Sequence, residues 1–118
     1  MKAIKVVEIA DESIKFDNGM WLSSDHERDC CENHYLSFSD LSEDDFEGLE
    51  FDLTTDSFFD RIEGYGIQLN PIHGHPVRVA GYGNNNGYYS ANLSLVLIKG
   101  SKLVETFDIT ECQDIDWQ

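Results

Sequence analysis

Positive charge is scarce in this chain: eight Lys and Arg stand against 23 Asp and Glu, a net charge of −15 over 118 residues. Nucleic-acid binding depends on cations displacing the counterions of phosphate. The balance therefore argues against direct contact with DNA, RNA or an anionic membrane. No apolar run approaches the length that spans a bilayer, and Met1–Lys5 has no apolar signal core. The expected setting is a reducing cytosol, where Cys30, Cys31 and Cys112 are thiols or ligands rather than disulfides. Internal repeats, linkers and low-complexity tracts are also missing, so residues 1–118 read as one domain.

Apolar residues make up 41% of the chain, among them seven Phe, five Tyr and two Trp, enough to build a globular core without metal or disulfides. The acid is concentrated. From Asp29 to Asp60 there is no Lys or Arg, while Asp29, Glu32, Asp40, Glu43, Asp44, Asp45, Glu47, Glu50, Asp52, Asp56 and Asp60 all carry carboxylates. Such a face either keeps the protein soluble through repulsion or docks on a basic partner protein.

The patterning is that of strands. Ala3–Ala10 is rich in β-branched residues, and Val6-Val7 breaks its alternation, which points to a bulge or to burial on both faces. Ser13–Asp17 alternates with Ile14 and Phe16 inward, Asp17-Asn18-Gly19 is a hairpin turn, and Met20-Trp21-Leu22 is the returning arm. His34, Leu36 and Phe38 share one face of a short strand, with Tyr35 and Ser37 on the other. A short acidic helix is expected near 42–48, capped by Ser42, stapled by Leu41 and Phe46 and ended by Gly48. Leu49–Thr54 has the cleanest alternation in the chain, Ser57–Ile62 reads as a helical or loop piece, and Tyr65, Ile67 and Leu69 alternate again. Pro71–Pro76 forms an exposed turn around His73 and His75. Val77–Tyr82 and Tyr88–Ile98 are expected to pair across a Gly83–Gly87 loop, where Gly87 supplies a positive φ, and Lys99–Lys102 turns tightly into Leu103–Ile109. The fold class that follows is mainly β: about eight short strands in a rolled antiparallel sheet.

Chemistry is densest in Asp25-His26-Glu27-Arg28-Asp29-Cys30-Cys31-Glu32-Asn33-His34. Thiolates and imidazoles are zinc's preferred ligands. His26, Cys30 and Cys31 are local, Cys112 completes a Cys3His set across the fold, and His34 is a substitute ligand. Adjacent cysteines aim poorly at one ion, and the alternative is that Cys30 or Cys31 packs inward as a small apolar residue. A cysteine nucleophile with His26 or His34 as base is disfavoured by the surrounding carboxylates, which raise a thiol pKa. The segment Gly81–Gly87 has no following helix and no Lys or Ser/Thr placed for phosphate, so it reads as a turn rather than a phosphate cradle. Beside it, Tyr82, Tyr88 and Tyr89 form a candidate binding rim with Asp25, Asp29 and Glu32, or else simply cap the sheet.

Asp25-His26 through Asp29-Cys30-Cys31-Glu32, Asn86-Gly87-Tyr88-Tyr89-Ser90 and Glu111-Cys112-Gln113 together resemble an uncharacterised family of small bacteriophage and gut-bacterial proteins. That family carries DH-x-x-DCCE, NGYYS and a terminal ECQ, and the resemblance covers nearly the whole chain. It implies a phage or mobile-element setting and brings no activity with it. Two expectations follow. The first is a non-catalytic interaction module whose acidic face meets a basic partner. The second is a metal site on His26, Cys30, Cys31 and Cys112.

Overall fold

A computed structural model describes residues 3–25, 33–85 and 92–117. In chain order the strands are β1 (Val6–Ile9), β2 (Ser13–Phe16), β3 (Met20–Asp25), β4 (Asn33–Ser37), β5 (Phe59–Ile62), β6 (Gly66–Leu69), β7 (Val77–Asn85), β8 (Ser94–Lys99), β9 (Lys102–Asp108) and β10 (Asp114–Trp117). The chain is mainly β, as its patterning indicates. The ten strands form two five-stranded sheets: β1-β2-β3-β8-β9 in one, and β10-β7-β6-β5 with β4 also on β7 in the other.

Local chemistry accounts for the hairpins. Gly19 adopts φ +88°, and the Asn18 side chain accepts the Met20 amide at 3.0 Å, which closes the β2–β3 turn. Gly100 at φ +65° does the same for β8–β9. Ile14, Phe16 and Leu22 then face the core together, with Leu95 and Leu97 from β8. The Val6-Val7 irregularity is a bulge: the β1–β2 register shifts between Val6 and Glu8, and Val7 is 52% exposed. Glu43–Phe46 forms a single 3₁₀ turn after Ser42, whose amide donates to the Asp45 carboxylate at 2.8 Å. Phe46 is buried and Gly48 ends the turn at φ +77°.

Three elements differ from the sequence reading. Leu49, Phe51 and Leu53 are buried in alternation, yet Leu49–Thr54 is no ladder strand; it makes the single bridges Ile4↔Phe51 and Glu50↔His73. The Asp52 carboxylate captures the Thr54 amide at 3.0 Å and turns the chain away. Secondly, Phe59–Ile62 is a strand, entered through a 3₁₀ turn at Asp56–Phe58.

Thirdly, β7 and β8 are not partners. β8 lies between β3 and β9, whereas β7 runs on through Gly81, Gly83 and Asn85 as the central strand of the second sheet. Ala80 pairs with both Ser37 and Gly66, and Tyr82 with both Tyr35 and Asp114. A strand has two edges, so β4 occupies one while β6 and β10 share the other end to end. The β7–β10 pair is parallel.

Gly81 and Gly83 serve close approach rather than a turn, since neither is among the positive-φ glycines. A Cβ at Gly81 would collide with the main-chain carbonyl oxygen of Cys112, and one at Gly83 with the His34 ring and with Gln113 Oε1, 2.8 Å away. The segment Glu111–Gln113 therefore passes directly over β7. Gly81→Ala should lower stability in urea unfolding by about 2 kcal/mol or more, because backbone cannot yield to a methyl group as a flexible side chain does. Gly19→Ala, with open space around it but a left-handed φ, should lose only about 1 kcal/mol.

Candidate functional site

The two segments that carry the densest chemistry are anchored side by side. Asp25 closes β3 opposite Ser94, and Asn33 opens β4 opposite Asn84. Residues 26–32 join the first member of each pair, and residues 86–91 run between their second members, from the end of β7 towards β8. His26, Asp29, Cys30, Cys31, Glu32, Gly87, Tyr88 and Tyr89 lie outside the described residues. Asp25 is exposed at the strand end.

Beneath these anchors sits a buried polar chain. His34, on the inner face of β4, is 3% exposed, and its Nδ1 lies 2.7 Å from Gln113 Oε1. Gln113 Nε2 donates to the Thr110 carbonyl at 2.8 Å. That bond fixes the amide orientation, so Oε1 faces the imidazole and His34 Nδ1 must be the donor. In the neutral ring the lone pair is then on Nε2. Thr110 is held in turn by the Asp108 carboxylate, which accepts its amide at 3.0 Å and its hydroxyl at 2.6 Å. These two bonds keep the Asp108 carboxyl below the usual carboxylate range. Stability from this turn is thus present at neutral pH and is lost as pH falls through the lowered value. Arg61 adds a 2.9 Å bond from Nε to the Asp108 carbonyl and a 3.9 Å ion pair with Glu111.

Cys112 has no exposed surface and belongs to the core cluster. Burial, with Glu111 next in weight, pushes its thiol up to about 11; a main-chain hydrogen bond from Ile62 and the charge of Arg61 pull it only partly back. The sulfur is therefore a packed, protonated thiol facing the β5 side. Among the described residues no group of three or more His, Cys, Asp or Glu could hold a metal ion.

Tyr82 lies on the outer face of β7, 39% exposed, with its ring 5.9 Å from that of its cross-strand neighbour Tyr35. The candidate rim thus gains Tyr35. Alternation had placed Tyr35 outward, but the pair needed the β4–β7 register to be seen. The partnership of His34 with Gln113 spans 79 residues and has no local signal in the sequence. No protein-family model, curated protein or solved structure matches this chain with significance.

Two outcomes test this geometry. Gln113→Ala strips a buried imidazole N–H of its acceptor and should destabilise by about 1–3 kcal/mol in thermal or urea unfolding. In a Cys30→Ser, Cys31→Ser background, Cys112 should resist iodoacetamide at pH 8 in the folded protein and react once denaturant is added. Because the folded thiol holds its proton to higher pH than the unfolded one, stability should also fall as pH rises from 9.0 towards about 11, and less so in Cys112→Ala.

Proposed function

We propose that this protein is a small acidic interaction module of phage or mobile-element type that docks, without catalysis, on a basic protein. The observation that carries the reading is a division among the carboxylates of the acidic segment. Asp45 and Asp52 have local work, on the Ser42 amide and on Thr54. Asp40, Glu43, Asp44 and Glu47 are exposed and have no ion-pair partner among the described residues. Unneutralised charge on one short segment draws a cationic partner and speeds its encounter.

Glu43→Lys with Asp44→Lys should leave the circular dichroism spectrum native, since neither side chain holds the turn. The double variant should lose the partner captured from host lysate, and capture by the unaltered protein should weaken in about 0.5 M salt, where screening shortens to a few ångströms. A partner list indifferent to both changes would end this reading.

A metal-holding role is the second reading, and one observation favours it: the bond from His34 Nδ1 to the Gln113 carbonyl oxygen is of the kind that orients metal-ligating histidines. On this reading the histidine next to the Cys30-Cys31 segment replaces Cys112 in a zinc set. Elemental analysis of the purified protein tests it, with stoichiometric zinc lost in His34→Ala as the expected result.

A further inference from the structure

At the far edge of the first sheet, β9 carries an irregularity with a consequence. Leu97 pairs with Glu105 and Ile98 with Leu103, which leaves Val104 as an extra residue in the strand. A bulge of this kind brings two neighbouring side chains towards one face. Val104 and Glu105 accordingly both line a cleft of about 330 Å³, whose other apolar walls are Ile4, Met20, Leu53 and Leu97. This volume falls at the small end of ligand pockets.

The lining is apolar apart from three residues. Asn18 and Thr54 have their oxygens engaged, Asn18 with the Met20 amide and Thr54 with the Asp52 carboxylate. Among the described residues Glu105 supplies the lining's only formal charge, is exposed, and makes no ion pair or side-chain hydrogen bond. Lys99 and Lys102, at the β8–β9 turn, are exposed and do not line the cleft.

An apolar trough with one unpaired carboxylate fits an alkyl stem that ends in a cation. We propose that the cleft takes a long cationic side chain, arginine or lysine, presented by the basic protein on which this chain docks. The stem lies along Met20, Leu53, Leu97 and Val104, and the head pairs with Glu105. Charge decides the occupant: the chain carries −15, and an anionic ligand would meet Glu105 with no cation among the described residues of the walls. The inference rests on the docking reading for its partner, and it adds the cleft between Leu53, Thr54 and β9 to the residues proposed for docking.

The probes are n-butylguanidinium and n-butylammonium, with n-butanol and n-butyrate as neutral and anionic controls, followed by two-dimensional NMR of the intact protein. Either cation should shift the methyl signals of Met20, Leu53, Leu97 and Val104 and saturate at a Kd on the order of millimolar, as suits so few atoms. Glu105→Gln should weaken this roughly tenfold, the worth of a charge-assisted contact. Glu43→Lys with Asp44→Lys should leave it unchanged. Equal binding of n-butanol, or an unchanged Kd in Glu105→Gln, would overturn the cationic assignment, and no saturable shift would overturn the site. The titration needs no partner, so a negative result there, with capture still lost in the Glu43, Asp44 double variant, removes the cleft alone. Saturable binding with capture indifferent to that variant removes the docking face and keeps the cleft.

Discussion

Where Cys112 crosses Gly81, main chain meets main chain at a distance no Cβ would allow, and at Gly83 the same room is taken by the His34 ring and the Gln113 side chain. The rest of the second sheet depends on that crossing. The chain leaves β9 in the first sheet, buries Ile109, and must deliver β10 to the edge of β7 in parallel register. It arrives over the inner face, with the Glu111 carbonyl accepting the Gly64 amide at 2.9 Å. A side chain at Gly81 would lift the segment and part β10 from Tyr82–Asn85, and one at Gly83 would displace the His34 ring and the Gln113 amide. The connection between the two sheets is therefore held on β7 by close backbone contact as well as by apolar packing.

The polar chain laid over the crossing fixes its register. A hydrogen bond such as that between His34 and Gln113 adds only about 1 kcal/mol net, less than one fully buried leucine, yet breaking it inside the core costs about 1–3 kcal/mol. Its value lies in discrimination. A shift of β10 by one residue would strand a buried imidazole N–H and a buried amide together. Asp108, Thr110, Gln113 and His34 thus form one sequence of contacts from the exposed end of β9 to the foot of the Cys30-Cys31 segment.

Alternation made much of the fold legible. Ile14 and Phe16, then His34, Leu36 and Phe38, are buried as a period of two requires, and Asn18-Gly19 turns where its chemistry says. Alternation reports which face meets the core and is silent about which strand lies alongside. Leu49–Thr54 alternates as cleanly as any strand and still fails to build a ladder, because Asp52 offers Thr54 a nearer acceptor. Gly81 and Gly83 have the composition of a turn, and only a segment thirty residues downstream explains them as strand. Of the site, inward packing was an alternative for Cys30 or Cys31 alone, so neither the burial of Cys112 nor the pairing of Gln113 with His34 was legible.

The same comparison bears on the charge. Eleven carboxylates between Asp29 and Asp60 look uniform in sequence, but a carboxylate that accepts hydrogen bonds from its own turn is already committed. Asp45 and Asp52 shape the path from β4 to β5, and removing them would change the fold before it changed any encounter. Exposed Asp40, Glu43, Asp44 and Glu47 hold nothing in place. Their mutual repulsion weighs slightly against the folded state, and a partner's cations would relieve it. On the docking reading, fold and recognition draw on different members of one acidic run, and charge at Glu43 and Asp44 can be reversed without disturbing the turn that Asp45 caps.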